Sequence, residues 1–331
     1  MTKHSPARRT AVAALTVLAF GTALHVGSAQ ADTAFAPKQI RIVAPFSAGS
    51  GVDSIARLYA RRLGEQLKIP VIVENREGAG GMIGAAYAAR LPADGQTLLV
   101  ATNPFVVGPV TMGNAAYDPI RDFVAVGRIA VNPLALTVNP SVPARSMKEL
   151  ISYARANPGL LTYASSGLGT PSQIEMEGLK ARLGLDIREV PYRSNAQALT
   201  DLIGGTVSMY YTVQSTSLGN VQAGQVRALA VASPNPTQAL PGVPIMAEAA
   251  ELPGYEAMVW YGFVAPKGTP DSIVQRLHQE VVNAAQSVEV ASGVKQLGFE
   301  MSLSGPQAFD AQMAAEYARA KAAAAKKPTG G

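Results

Sequence analysis

The chain has 331 residues, a formal net charge of +5, 48% hydrophobic residues and no cysteine. Without cysteine it can hold no disulfide, thiolate metal site, cysteine nucleophile or lipid-anchored lipoprotein signal, and a chain of this length buries enough apolar surface to fold without such staples. The charge is small and no Lys/Arg cluster lies among aromatic residues, which argues against a nucleic-acid groove.

The first residues point to export. Met1 to Thr10 carries Lys3, Arg8 and Arg9, an apolar run extends from Ala11 to about Val26, and Ala29-Gln30-Ala31 supplies the small-x-small pattern of a signal peptidase site. We read residues 1–31 as a cleaved secretory signal peptide. Gly21, Thr22 and His25 interrupt the run and keep it below the roughly 20 residues a membrane span needs. No other segment is as apolar, so the mature protein is expected to be soluble. Cleavage removes three basic residues and no acid, leaving 300 residues with a net charge of +2.

Hydrophobic periodicity then predicts strands and helices in alternation. A strand at 39–45 leads through the small-residue stretch Ala44 to Gly51 into a helix at 52–67, followed by a strand at 70–74, a helix at 81–90 and a strand at 97–102. Two strands at 124–129 and 133–138 precede a helix at 146–156. Next come a strand at 161–165, a helix at 171–183, a strand at 187–191, a helix at 195–203 and strands at 207–213, 226–232 and 258–265. Long helices at 271–297 and 306–325 close the pattern, and the tail from Ala320 is expected to fray. Such alternation predicts an α/β protein with largely parallel sheets covered by helices. The stretches "TVNPSVPARS" (137–146) and "SPNPTQALPGVP" (233–244) bracket a segment with its own strand-helix units. We therefore expect two α/β lobes with a central cleft and two crossover segments: residues 32–138 with 256–331 as one lobe, and 139–255 as the other.

The inventory for catalysis is thin. His4 and His25 leave with the signal peptide, and His278 continues a helical period, which reads as a helix-surface histidine. No G-x-S-x-G occurs, so a Ser-His-Asp hydrolase is not expected, and one histidine cannot supply a zinc site. The glycine-rich "GSGVDS" (49–54) and "GAGGMIGA" (78–85) both miss the third glycine of a dinucleotide fingerprint, and neither continues into Lys-Ser or Lys-Thr as a phosphate loop does. No cofactor, metal or enzymatic activity is expected. Asp53, the sole acid of the first glycine-rich turn, reads as a helix-capping residue or as part of a site.

Two turns stand out. "APFSAGSGVDSIARL" (44–58) and "YASSGLGTPSQIEM" (163–176) share one grammar: a strand, a run of Ser and Gly, then a helix, with Thr170 as N-cap and Pro171 at the first helical position of the second. Each offers hydroxyls (Ser47, Ser50, Ser165, Ser166, Thr170) and backbone N–H groups (Ala48 to Gly51, Gly167 to Gly169) at a helix N-terminus, where anions are favoured. Either turn alone can be an ordinary strand-helix connection. Together, in opposing lobes, they suit a small carboxylate.

The opening "IRIVAPFSAGSGVDSIARLYARRLGEQLKIPVIVENREGAGGMIGA" resembles that of the Bug family, the periplasmic solute-binding receptors of tripartite tricarboxylate transporters. "ADGQTLLVATN", "YASSGLGTPSQ", "VPYRSNAQALTDLIGGTV", "VRALAVAS", "LPGVPIMAEA" and "LPGYEAMVWYGFVAPKGTP" follow in family order, from about residue 38 to 325. The resemblance implies a type II periplasmic-binding-protein fold that closes on an organic acid and a membrane permease that receives it. We expect a monomer; the alternatives to a transport receptor are a receptor that presents its ligand to a membrane sensor kinase and, from another class, a secreted α/β enzyme using Asp53 or a serine. It places ligand contacts at Phe46, Ser47, Ala48, Gly49, Ser50 and Gly51 with Asp53, and at Ser165, Ser166, Gly167, Gly169 and Thr170. The turn containing Asn103 and Phe105, and the segment containing Tyr192, Arg193 and Asn195, are expected to border the cleft, as is Tyr211 or its neighbour Tyr210 on the opposite strand face. Arg193 has two readings, a partner for a ligand carboxylate or a solvated surface group. Aromatic residues Phe105, Tyr192, Trp260 and one of Tyr210 and Tyr211 are read either as core or as a stacking surface for an aromatic acid. Where family members often carry acids, Ser208 and Thr212 are neutral, which disfavours an amino acid in that cleft.

Overall fold

The computed structural model describes residues 35–113, 115–167 and 170–325. The segment read as a signal peptide lies outside the described residues, as does Gly169 of the expected site. The chain starts with β1 (Ile40–Ala44), α1 (Gly51–Leu67), β2 (Val71–Asn75), α2 (Met82–Ala88), β3 (Thr97–Thr102) and α3 (Asn103–Met112). A long strand β4 (Phe123–Val138) leads into α4 (Met147–Ala156), β5 (Thr162–Ser165), α5 (Pro171–Leu183), β6 (Arg188–Pro191) and α6 (Asn195–Gly204). These are followed by β7 (Met209–Val213), α7 (Gln214–Gln222), β8 (Arg227–Val231) and the short α8 (Met246–Ala249). The chain ends through β9 (Met258–Pro266), α9 (Asp271–Ala285), α10 (Val288–Gln296), β10 (Glu300–Ser304) and α11 (Pro306–Ala325).

Strand pairing runs β2-β1-β3-β9-β4-β7-β5-β6, with β8 and β10 also on β4. The sheets are mixed rather than largely parallel. β2-β1-β3 and β6-β5-β7 are parallel, whereas β9 runs antiparallel to both β3 and β4, and β4 is antiparallel to β7, β8 and β10. The two strands expected at 124–129 and 133–138 are one. Its first part, to Pro133, pairs with β9, and from Leu134 it pairs with β7 and, from Ala135, with β8. Pro133 sits where the partner changes, so its missing N–H costs no ladder bond there.

Period-two alternation sorts the first sheet into two faces. Ile40, Ile42, Ala44, Leu98 and Val100 point to the side covered by Ile55, Tyr59 and Leu63 of α1 and Leu277 and Val281 of α9. Val43, Leu99, Ala101 and Val264 meet Phe105 and Val106 of α3 and Phe309 and Met313 of α11 on the other side. Full burial of Ile55 or Leu63 contributes about 2 kcal/mol each. His278 is half-buried against Gly127 of β4 rather than carried on a free helix surface, and its Nδ1 has no partner. The expected helix 271–297 is broken at Ser287, which caps α10 by accepting from Val290 N–H.

Candidate functional site

β1 ends at Ala44, and the chain turns through Ser47 to Ser50 before α1. Ser50 N–H donates to Ser47 O at 3.1 Å, and Gly49 at the third position has φ +80° with open space around it, as a type II turn requires. Ser50 then caps α1, its hydroxyl accepting from Asp53 N–H at 3.3 Å. Asp53 closes the turn from inside. Its Oδ2 accepts from Gly49 N–H and Arg57 Nε, both at 2.9 Å, and its Oδ1 accepts from Asn75 Nδ2 at 2.9 Å. The same Asn75 amide donates to Phe46 O at 3.1 Å, so β2 also fixes the turn. Burial pushes the Asp53 carboxyl up, but the hydrogen bonds from Arg57, Gly49 and Asn75 together outweigh it and hold the group below its ordinary range. Asp53 is 3% exposed, and every contact it makes organises the turn. The N–H groups of Gly51 and Val52, in the first turn of α1, are left over by helix geometry.

The second turn follows β5. Ser165, fully buried, donates its hydroxyl to Glu189 Oε1 at 2.5 Å and accepts from Gly167 N–H at 3.2 Å. Ser166 N–H donates to Ser172 Oγ at 3.0 Å. The Ser166 hydroxyl donates to Asn195 Oδ1 at 2.5 Å and lies 2.9 Å from the Tyr210 hydroxyl, which itself donates to Asn195 Oδ1 at 2.8 Å. Asn195 stands at the start of α6, capped by Ser194. Gly167 has φ +99° and open space, and Thr170 folds its hydroxyl back onto Gly167 O at 2.6 Å. The second turn, α6 and β7 thus meet in a small hydroxyl–amide cluster whose Asn195 amide N–H groups point to no partner among the described residues.

Of the two tyrosines of β7, Tyr210 joins this cluster, and burial raises its phenol above the ordinary value. Tyr211 lies on the opposite strand face, with its hydroxyl 3.2 Å from that of Tyr255. Arg193 is exposed, with no ion pair or hydrogen bond among the described residues. Tyr192 is half-buried and donates to Asp201 Oδ2 at 2.8 Å, and burial with that carboxylate pushes its phenol up to about 12. Asn103 and Phe105 are not in a turn but in the first residues of α3. Phe105 is in the core, stacked on Tyr117, and Asn103 is held by α11 and β9, donating to Glu316 Oε1 and accepting from Trp260 N–H. Trp260 packs edge-on against Phe309. Among the described residues no group of three His, Cys, Asp or Glu is poised for a metal, and no helix is long and apolar enough to cross a membrane.

Residues 55–327 match the model of the tripartite tricarboxylate transporter family receptor. The chain belongs to that family. BugT of Bordetella pertussis is 36% identical over 262 residues, 78% of this chain and 80% of BugT. Among solved structures, Rpa4515 of R. palustris with adipate superposes with a TM-score of 0.78 at 35% identity, covering 87% of this chain and 98% of that one. MatC of Rhodopseudomonas palustris with bound malate gives 0.74 at 27% identity, over 87% of this chain and 99% of that one. The fold is accordingly that of the periplasmic solute-binding receptors, and the family relationship is to binding proteins.

Proposed function

We propose that the protein is a periplasmic receptor that captures a small organic carboxylate between the Ser47–Asp53 turn and the Ser165–Thr170 turn and delivers it to a tripartite transporter permease. In this reading the two sheets sharing β4 belong to two lobes. Residues up to 138 and from 256 form one, residues 139–255 the other, and an export signal ends at Ala31. The observation that carries the proposal is the pair of serine-glycine turns, each ending a strand and opening a helix. Both present polar hydrogens at a positive helix end. The adipate and malate of the two related structures are consistent with an aliphatic dicarboxylate. Phe105, Trp260 and Tyr211 are committed to the core, which leaves few rings to stack on an aromatic acid.

Closure is a population shift: contacts to the anion from both turns exist only when the lobes approach, so ligand binding favours the closed form. Ser166, Asn195 and Tyr210 line the second turn, and Arg193 offers an unpaired guanidinium for a second carboxylate. The mature chain, residues 32–331, is titrated by calorimetry and thermal shift with adipate, malate, benzoate and phthalate. A micromolar ligand at millimolar concentration adds about 4 kcal/mol of stability. Replacing Ser165 and Ser166 together by alanine is expected to weaken binding at least about tenfold, or about 1.4 kcal/mol. Silence toward every acid, or full affinity in the double variant, overturns the reading.

A further inference from the structure

A cavity lined by no residue of either turn lies between α11 and the β4–β9 pair. Its volume is about 360 Å³, within the range that small-molecule pockets occupy. Arg128 of β4, Gln312 and Glu316 of α11, Trp260 of β9 and Asn103 of α3 line it, with Glu256 and Arg319 at the exposed rim and Val131 and Met258 as its apolar wall.

Its charges are arranged in an unusual way. Charged groups out of water ordinarily pair with each other. Here a guanidinium and a carboxylate line one cavity, yet each is held by neutral partners. Arg128 donates through Nη1 to Gln312 Oε1 at 2.8 Å and through Nε to Ser302 O at 3.3 Å. Glu316 accepts from Trp260 Nε1 at 2.7 Å and from Asn103 Nδ2 at 2.9 Å. No ion pair joins either arginine of this cavity to either glutamate among the described residues. Burial lowers the Arg128 guanidinium from its ordinary value, and burial raises the Glu316 carboxyl against the bonds from Trp260 and Asn103 and the more distant Arg319. Both groups line the cavity, and among the described residues neither has an opposite charge within ion-pair distance.

We propose that this pocket binds a small zwitterion of the α-amino-acid type, its carboxylate on Arg128 and its ammonium on Glu316. One molecule then supplies both missing counter-charges, and its side chain lies against Val131 and Met258. The ligand class differs from that suited to the serine-glycine turns, where the buried acid, Asp53, is already bonded to Gly49, Arg57 and Asn75. The site is independent of whether those turns hold a carboxylate.

Trp260 is the single tryptophan of the sequence, so its indole N–H gives one resolved NMR signal on the pocket wall. The full mature chain is titrated with glycine, L-alanine, L-leucine and L-glutamine, and separately with acetate and methylammonium, which each carry one of the two charges. At least one amino acid is expected to move the indole signal saturably with a Kd of about 1 mM or tighter, and the single-charge probes to bind at least about tenfold more weakly. Glu316→Gln keeps an oxygen for Trp260 and removes the charge; it is expected to lose at least about tenfold in affinity, as is Arg128→Gln. Glu316→Gln alone decides if Arg128→Gln fails to fold. The Ser165→Ala, Ser166→Ala double variant is expected to retain the response. No saturable shift with any of the four amino acids overturns the proposal. So does an unchanged response in Glu316→Gln, or a response lost in the serine double variant, which would place the amino acid at the turns.

Discussion

Replacing Asp53 by asparagine tests whether the carboxylate builds the first turn or waits for a ligand. Three donors converge on it: Gly49 N–H, Arg57 Nε and Asn75 Nδ2. The Arg57 side chain is 55% exposed, so screening limits that ion pair to about 0.5 kcal/mol. Hydrogen bonds to a charged acceptor contribute about 1.5–3 kcal/mol each. The bonds from Gly49 and Asn75, with their donors partly solvated, bring the total to about 3 kcal/mol. Asparagine keeps one oxygen but turns an NH2 group toward the remaining donors, so it rescues little. For a chain of about 300 residues, unfolding entropy near 2.1 cal/mol/K per residue converts 3 kcal/mol into a Tm drop of about 5 °C. The folded pKa of Asp53 is depressed. Its contribution is therefore fully present above the unfolded value of about 3.9 and is lost as pH falls through the folded value. Thermal unfolding followed by circular dichroism should show the same Tm gap between wild type and Asp53→Asn at pH 7 and pH 5. The gap should close only below about pH 3.9. A variant within about 1 °C of wild type at pH 7, or a gap that persists into strong acid, refutes the turn-building role.

Three further outcomes follow from packing. Tyr210→Phe removes the hydroxyl shared with Ser166 and Asn195 and is expected to weaken carboxylate binding about tenfold in calorimetry. Tyr211→Phe leaves affinity unchanged and costs about 1 kcal/mol of stability through the lost Tyr255 contact; the opposite pattern would assign the wrong strand face to the ligand. A Cβ at Gly262 would stand 2.4 Å from the Phe309 ring and 2.9 Å from Gly127 O. With Phe309 fully buried, Gly262→Ala is expected to cost about 3 kcal/mol in urea unfolding, and a neutral result would show that α11 can slide off the sheet.

The sequence announced its strands well where β-branched residues were buried on both sides, as in "TLLVAT" of β3. It announced helix starts where a capping serine stood ahead of an apolar period, as at Ser50, Ser146 and Ser194. It was silent where tertiary contacts override local preference. Helix α3 contains Pro104, Gly108 and Pro109 and reads as a turn, yet Phe105 stacking on Tyr117 and Asn103 bonding to α11 hold it. Helix α7, "QSTSLGNVQ", has little helix propensity. It is pinned by Gln214, whose side chain donates to Gly298 O and accepts from Thr237. β10 was invisible because its residues are half-exposed and its pairing with β4 is interrupted by a bulge. At the candidate site the serines and glycines were legible from their grammar. The choice between Tyr210 and Tyr211, and the commitment of Asn103 to Glu316, depend on which strand face meets which helix, and adjacent residues in a sequence do not reveal that.

The order in which the sheets can be completed follows from β4. All the other strands of the sheet built on its second part, β5 to β8, lie within the next hundred or so residues of chain, so that sheet can assemble as soon as its own segment exists. The first part of β4 has no such neighbour. β3 precedes it in sequence but is not its partner, because β9 is inserted between them. Until Met258–Pro266 arrives, β3 and β4 present two open edges separated by one missing strand, a sticky intermediate of the kind that pairs with other chains. Contacts between strands so far apart in sequence also form slowly. A strand made late in synthesis is therefore the keystone of the first sheet, and a chain truncated before β9 would keep one sheet and leave the other as a split half.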